Sequence, residues 1–233
     1  MTTAKIEHHA APLRQQVLHA MRDQILDGTL VPGQRLRENA LCERYGVSRT
    51  VIRESLRQLE SEHLITMLPN RGPIVTVLSE GDIKAIYQVR RALEGLAGEL
   101  FAANASDAQA IALLGHIVDM EQSYLHGTVA SREASKRHFY ALLLAGAGNE
   151  VLATSLLGIH SRIAMFRRAA FLDENRVQSS MRELRGIVVA AAERRDPLAA
   201  RTACERHIQL AGELAAIEYT GRLSDAMEPN YVS

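Results

Sequence analysis

The stretch Tyr45-Gly46-Val47-Ser48-Arg49-Thr50-Val51-Ile52-Arg53-Glu54-Ser55-Leu56-Arg57 leaves this chain few ways to fold. Gly46 supplies the backbone freedom that a tight turn demands. Ser48 is a good helix N-cap, because its hydroxyl can accept from an amide two or three residues on. Ile52, Leu56 and Leu59 recur at i, i+4 and i+7, which makes one apolar stripe of a helix. Arg49, Arg53 and Arg57 form an i, i+4, i+8 row on another face. A turn followed by a capped helix reads as the second half of a helix-turn-helix. Cationic residues at the start of such a helix suit the major groove, where arginine pairs with guanine O6 and N7. Three arginines alone also fit an exposed basic face that binds nothing.

The flanks extend the pattern. Residues 1–10 are polar and expected to be loose. From Pro12 a helix carries Leu13, Val17, Met21 and Ile25 on one face and stops at Asp27-Gly28, where glycine suits the position after a helix end. Residues 30–36 form a turn, and a short helix over about 38–45 buries Leu41. The capped helix then runs from 49 to about 62. Two β-rich runs, 64–67 and 74–77, flank Pro69-Asn70-Arg71-Gly72-Pro73, a hairpin turn. Three helices followed by a hairpin make a winged helix. Its wing tip carries Arg71, placed to reach the DNA backbone or minor groove.

After Leu78 the strand signal ends. Ser79 or Glu80 can cap a new helix, and six helices are expected over about 80–103, 107–126, 131–147, 150–171, 175–195 and 197–220. Pro197 fits the first helical position after an Asp196 cap. Residues 222–233 are expected to fray. The fold class is therefore mostly α: an N-terminal winged helix-turn-helix over 1–78 and a C-terminal all-α antiparallel bundle over 79–233.

Charge narrows the function. The chain of 233 residues carries 27 basic and 27 acidic residues, for a formal net charge of +0. Its first 78 residues hold ten basic and eight acidic ones. Such a balance excludes a polycation that coats nucleic acid, so the placement of the arginines carries the DNA-binding expectation. Cys42 and Cys204 lie far apart without metal spacing and read as reduced thiols. With no leader pattern and no run of 18 apolar residues, the sequence points to the cytoplasm rather than a membrane. No nucleophile with an activating base is recognisable, so an enzyme is not expected.

Residues 12–78 resemble the DNA-binding domain of the GntR superfamily of bacterial regulators. The matching pieces are Ile25-Leu26-Asp27-Gly28-Thr29-Leu30-Val31-Pro32-Gly33, Leu36-Arg37-Glu38, the run from Gly46 to Leu56, Leu59-Glu60 and Arg71-Gly72. The resemblance implies operator binding as a homodimer, each subunit reading half of a near-palindrome. It implies that Arg49 and Arg53 read bases, while Arg37, Asn39, Ser48, Thr50, Arg71 and Gly72 hold phosphates or groove edges. Residues 80–220 resemble, more loosely, the ligand-binding domain of the FadR-like branch, through Val89-Arg90-Arg91-Ala92-Leu93-Glu94, Phe139 with Gly148-Asn149, and Asp196 leading to His207-Ile208. Six helices suit its VanR-like subgroup. Most relatives repress, so a repressor is expected.

Polar residues interrupt the apolar stripes of this second domain. Arg90 shares a face with Ile83, Ile86, Leu93 and Ala97. Lys136 and Tyr140 share one with Phe139 and Leu143. Arg185 neighbours Leu184 and Val188, and His207 lies among Ala203, Leu210 and Leu214. Arg162 sits between Ile159 and Phe166. Arg185 and His207 are each 11 residues from Asp196, the turn between their helices, so they are expected opposite one another. Many members of the branch hold a divalent metal with an Asp and a His four apart on the third helix, a His on the fifth and a His on the sixth. At those places this chain has Lys136, Tyr140, Arg185 and His207, so the family's metal is expected to be lost and no cofactor is expected; the alternative is a divalent metal retained through altered ligands. What replaces it is a cationic pocket for a small anionic effector, an organic acid, bound by Arg90, Lys136, Tyr140, Arg162, Arg185 and His207. Each has a plainer alternative: Arg90 can pair with Glu94 one turn on, Lys136 can snorkel to solvent, Tyr140 and His207 can be core, and Arg185 can be exposed.

Overall fold

The computed structural model describes the backbone of residues 10–227, and the side chains of these except 10–12, 161, 164–169 and 218–227. Residues 1–9 and 228–233 lie outside the described residues, and with them most of the expected loose N-terminus and half of the expected tail. The chain divides into two compact units, one made chiefly of residues up to Val77 and the other chiefly of residues from Leu78.

The first unit is a winged helix. Helix α1 (Ala10–Leu26) starts slightly before Pro12, which the first turn of a helix tolerates. Helices α2 (Glu38–Tyr45) and α3 (Arg49–Ser61) form the helix-turn-helix, with Gly46 at φ 64° ending α2 and Ser48 capping α3. Strands β1 (Ile65–Leu68) and β2 (Gly72–Val75) pair antiparallel, with Ile65 opposite Val75 and Leu68 opposite Gly72. The second strand starts two residues earlier than the β-rich run suggested. Asn70 and Gly72, both at positive φ, let the chain reverse within three residues. The other edge of β2 is covered by residues 33–36: Gly33 N donates to Val75 O and Leu36 N to Pro73 O. Val17, Met21, Ile25, Leu36, Leu41, Ile52, Leu56, Leu59, Leu64 and Val75 build the core. Leu13, expected on that stripe, is exposed instead. A bidentate ion pair from Arg22 to Glu62 ties α1 to the end of α3.

The second unit is all-helical: α4 (Glu80–Asn104), α5 (Asp107–Leu125), α6 (Val129–Ala147), α7 (Glu150–Leu172), α8 (Glu174–Val188) and α9 (Pro197–Met227). Local chemistry fixes the starts. Ser79 with Asp82 and Ser106 with Gln109 form capping boxes, and Thr128, Asp173 and Asp196 cap α6, α8 and α9. Helix α9 includes residues 222–227, expected to fray; no proline stops it before Pro229. Helices α4 and α9 make the most extensive pairing among the described elements. Gly98 permits the approach, since a Cβ there would lie 2.7 Å from Cys204 Sγ and 3.0 Å from the Ala200 carbonyl oxygen. Buried Arg132 donates to the carbonyls of Tyr124 and Leu125 at the end of α5, to that of Phe171 near the end of α7, and to Glu174. It thereby satisfies carbonyls that a helix end leaves without partners.

One irregularity matters for the site. The end of the fifth bundle helix is a π segment, Val189–Glu193, in which Arg194 N donates to Val189 O. A π turn spreads more residues over a given length than an α turn does. Counting back from Asp196 as though the helix were uniform therefore misplaces residues on α8.

Candidate functional site

Two places in the chain gather polar residues beyond what the fold needs. The first is the open face of the winged helix. Ser48 accepts from Val51 N at 3.4 Å, which leaves Arg49 and Thr50 exposed at the start of α3. Arg53 and Arg57, one and two turns on, are exposed as well, while Val51, Ile52, Ser55, Leu56 and Leu59 are buried. Helix α3 thus keeps its arginines out and its stripe in, as its spacing required. A cleft beside it is lined by Arg35, Arg37, Glu38, Asn39, Arg71 and Gly72, among others. The start of α2 and the wing tip so converge, and Arg37, Asn39, Arg71 and Gly72, four of the residues expected to hold DNA, line this one cleft. Arg35 and Glu38 lie in this cleft without belonging to the set expected to hold DNA. Glu38 accepts from Arg53 Nε through both carboxylate oxygens, at 3.0 and 2.9 Å. The Leu36-Arg37-Glu38 run was visible, but nothing in the spacing joins residue 38 to residue 53.

The second place lies inside the bundle. Arg90, Lys136 and His207 are all buried, as their stripes implied, and Tyr140 with them. Arg90, 2% exposed, takes the plainer alternative: Nε and Nη2 both donate to Glu94 Oε1 at 2.8 Å, and the guanidinium lies over the Tyr87 ring. His160 Nε2 contacts the same carboxylate oxygen at 3.1 Å. Burial is the largest single influence and would raise the Glu94 carboxyl, but the Arg90 guanidinium, His160 and the Tyr140 hydroxyl together outweigh it and hold the group well below the usual range. Burial, reinforced by the Glu94 charge, pushes the Tyr140 hydroxyl well up, so it stays protonated.

A second, partly buried charge pair lies nearby, its arginine lining the same cavity as Arg90. Arg176 on α8 donates to both oxygens of Glu183 at 2.7 and 2.9 Å, and His207 Nδ1 lies 2.5 Å from Glu183 Oε2. Burial would raise Glu183, yet the hydrogen bonds from His207 and Arg176 bring it down to about 2. Burial and the nearby Lys136 charge lower the His207 imidazole to about 4, against the pull of Glu183. His207 is therefore neutral near pH 7, with Nδ1 donating to the carboxylate. Its Nε2 is then a lone-pair acceptor, buried without a hydrogen-bond partner among the described residues. Lys136 Nζ reaches Ser180 Oγ at 3.3 Å, and Tyr124 donates to the same hydroxyl. A cavity of about 20 Å³ lies among Tyr87, Arg90, Tyr124, Lys136, Arg176 and Ser180.

Arg185 does not join this group. It is exposed on α8, paired with Glu121 at 2.7 Å. The π segment brings Glu183, two residues earlier, level with His207. Arg162 is partly buried on α7, its Nε has no hydrogen-bond partner among the described residues, and it does not line the cavity. Arg176, Ser180 and Glu183 were missed, although their spacing of four and three residues marks one polar line along α8. The residues standing where a divalent metal would be held do not suit one. Lys136 and Arg176 bring positive charge to His207, Glu183 is already engaged by two donors, and the described residues contain no group of three or more metal-ligating side chains.

Similarities to known proteins agree with this architecture. Residues 13–75 match the bacterial regulatory proteins, gntR family, and residues 85–210 match the FCD domain. The HTH-type transcriptional regulator YdhC of Bacillus subtilis (strain 168) is 29% identical over 76% of this chain and 79% of its own length. The gluconate operon transcriptional repressor of the same organism is 38% identical over 34% of this chain and 32% of its own. Among solved structures, E. coli McbR/YncC superposes with a TM-score of 0.72 at 20% identity, over 89% of this chain and 98% of that one, a likeness of fold. No helix among the described residues is long and apolar enough to cross a membrane. The chain belongs to the gntR family of bacterial regulatory proteins, with an FCD domain after its winged helix, and is a transcriptional regulator.

Proposed function

We propose that this regulator is a repressor that binds a near-palindromic operator as a homodimer and lets go when a small organic anion enters its helical unit. The DNA half rests on one observation: Arg49 and Arg53 project from the capped, exposed start of α3, beside a cleft that carries Arg37, Asn39, Arg71 and Gly72. Arginine there can fork onto guanine, while the rim residues and the Ser48 and Thr50 hydroxyls suit phosphates. The name of the gluconate operon relative supports the sign of regulation.

The effector half rests on the buried cluster. Arg90, Lys136 and Arg176 converge on one small cavity, with the Ser180 hydroxyl on its wall. Cations gathered away from water favour an anion. A cavity of about 20 Å³ holds one water molecule at most. An organic acid can enter only by parting the helices that line it, so the liganded bundle must differ from the empty one. That difference is what a ligand needs in order to shift an equilibrium between two arrangements.

The test is calorimetric titration of a panel of organic acids into the full-length protein, with and without a strong chelator, and into Lys136→Met. Binding that survives chelator and is lost in Lys136→Met, with operator affinity unchanged, is expected. Affinity that collapses in chelator would refute direct anion binding. For the operator half, Arg49→Ala should cost roughly 1–3 kcal/mol of operator binding and relax its sequence preference. Equal loss on specific and random duplexes would refute it.

A further inference from the structure

A guanidinium has two edges that can form a fork: Nε with one terminal nitrogen, or the two terminal nitrogens together. On an exposed helix face, an arginine samples many rotamers and presents either edge, at a cost in entropy when one geometry is required. Arg53 is not left in that state. Both oxygens of Glu38, the first residue of α2, accept from its Nε. The Glu38 side chain is 32% exposed against 58% for Arg53, so the carboxylate lies deeper and the guanidinium nearer solvent. Leu56 and Arg57 of α3 and Met67 and Pro73 of the hairpin line the same cleft. With Nε engaged, the edge left to project is the one formed by the terminal nitrogens.

A carboxylate at this surface is otherwise unfavourable. It repels the phosphate backbone and lowers affinity for any DNA sequence. Its value must therefore lie in discrimination. We infer that Glu38 is a positioning residue for sequence reading: it holds Arg53 by Nε so that Nη1 and Nη2 meet O6 and N7 of one guanine in each half-site. This rests on the proposal that Arg53 reads bases. It makes the specificity of α3 depend on a residue of α2 that contacts no base itself.

The inference has a signature of opposite signs. Removing Glu38 should weaken discrimination while leaving binding to random DNA unchanged or stronger. The experiment compares full-length wild type with Glu38→Gln, Glu38→Ala and Arg53→Ala. Each selects from a pool of duplexes with a random core, and each is titrated against the duplex that wild type enriches most and against a random duplex. Arg53→Ala should abolish one guanine preference in each half-site. Glu38→Ala should reduce that same preference roughly tenfold, with the other positions unchanged. Glu38→Gln, which keeps the shape and an acceptor oxygen, should fall between. The random duplex should bind each Glu38 variant at least as tightly as wild type. Full guanine preference in the Glu38 variants beside its loss in Arg53→Ala would overturn the inference. So would equal tightening on both duplexes, which makes Glu38 a competitor for Arg53. Loss of a cytosine preference elsewhere would make it a direct reader, and loss of all binding would make it a folding residue; either result overturns positioning. If Arg53→Ala keeps the preference, base reading by Arg53 fails first, and that outcome is distinct from the others.

Discussion

Lowering the pH should destabilise the helical unit through His207, before the acids of its core are protonated. The imidazole is 1% exposed and its folded pKa is about 4, against 6.5 for an unperturbed histidine. The unfolded chain therefore takes up the proton first as pH falls. Stability from the neutral buried ring is fully present above about pH 6.5 and is lost as pH drops toward 4. The linked loss is about 1.4 kcal/mol per pH unit at its steepest, about 1.4 kcal/mol in total by pH 5.5, and about 3 kcal/mol at the limit. Glu183 follows the opposite rule for a depressed carboxyl: its contribution persists down to about 4.5 and is lost as pH falls through about 2. The window from 6.5 to 4.5 thus belongs to the histidine. Urea unfolding of the full-length protein, followed by far-UV circular dichroism at several pH values, should show wild type losing stability across that window. His207→Asn, whose amide can still donate to Glu183, should lose less. Parallel curves for the two proteins, or an imidazole proton resonance that titrates at or above 6.5, would refute the assignment of a neutral buried ring.

Three further perturbations test the packing. Glu94→Gln leaves the Arg90 guanidinium buried without its counter-charge and should cost about 3–5 kcal/mol, read by urea unfolding, with Arg90→Met in the same chain restoring much of it. Gly98→Val places carbon against Cys204 and the Ala200 carbonyl and should cost about 1–3 kcal/mol, read as a lowered melting temperature. Ser48→Ala removes the cap of α3 and should cost about 1 kcal/mol in the winged helix, with weaker operator binding in a gel-shift titration.

The fold was legible because its signals are local and repeated. The turn at Gly46, the Ser48 cap and the Ile52-Leu56-Leu59 stripe act within a few residues of one another, and the structure keeps all three. The same holds for Asp196-Pro197 at the start of α9. Boundaries slipped where a neighbour outside the local window decides. Strand β2 begins at Gly72 because Asn70 and Gly72 adopt left-handed backbone and because residues 33–36 supply a second pairing edge. Leu13 continues the period of α1 yet meets no core, since periodicity says which face a residue is on and not how far the neighbouring layer extends.

The buried cluster shows a sharper limit. Periodicity found Arg90, Lys136 and His207, because each interrupts a stripe that must face inward. It did not find what they pair with. Glu183 enters the interior only because the π turn at Val189–Glu193 changes which residues of α8 lie level with His207, and that insertion has no signature in apolar spacing. The same turn leaves Arg185 outside with Glu121. The consequence reaches the proposed ligand. At the cavity Arg90 is matched by Glu94 and Arg176 by Glu183, and both acids are held as carboxylates by the partners they serve. An entering anion must therefore share those guanidiniums with resident acids in a space of low dielectric, where like charges repel strongly. It can do so only by adding hydrogen bonds that the acids do not make. The His207 Nε2 lone pair is of no use to a carboxylate, because it accepts rather than donates. Ser180 and Tyr124 carry neutral hydroxyls on the cavity wall, while the protonated Tyr140 hydroxyl lies off that wall and is directed at Glu94. Burial, which raises the tyrosine pKa, keeps its hydroxyl a donor at any pH at which the protein folds.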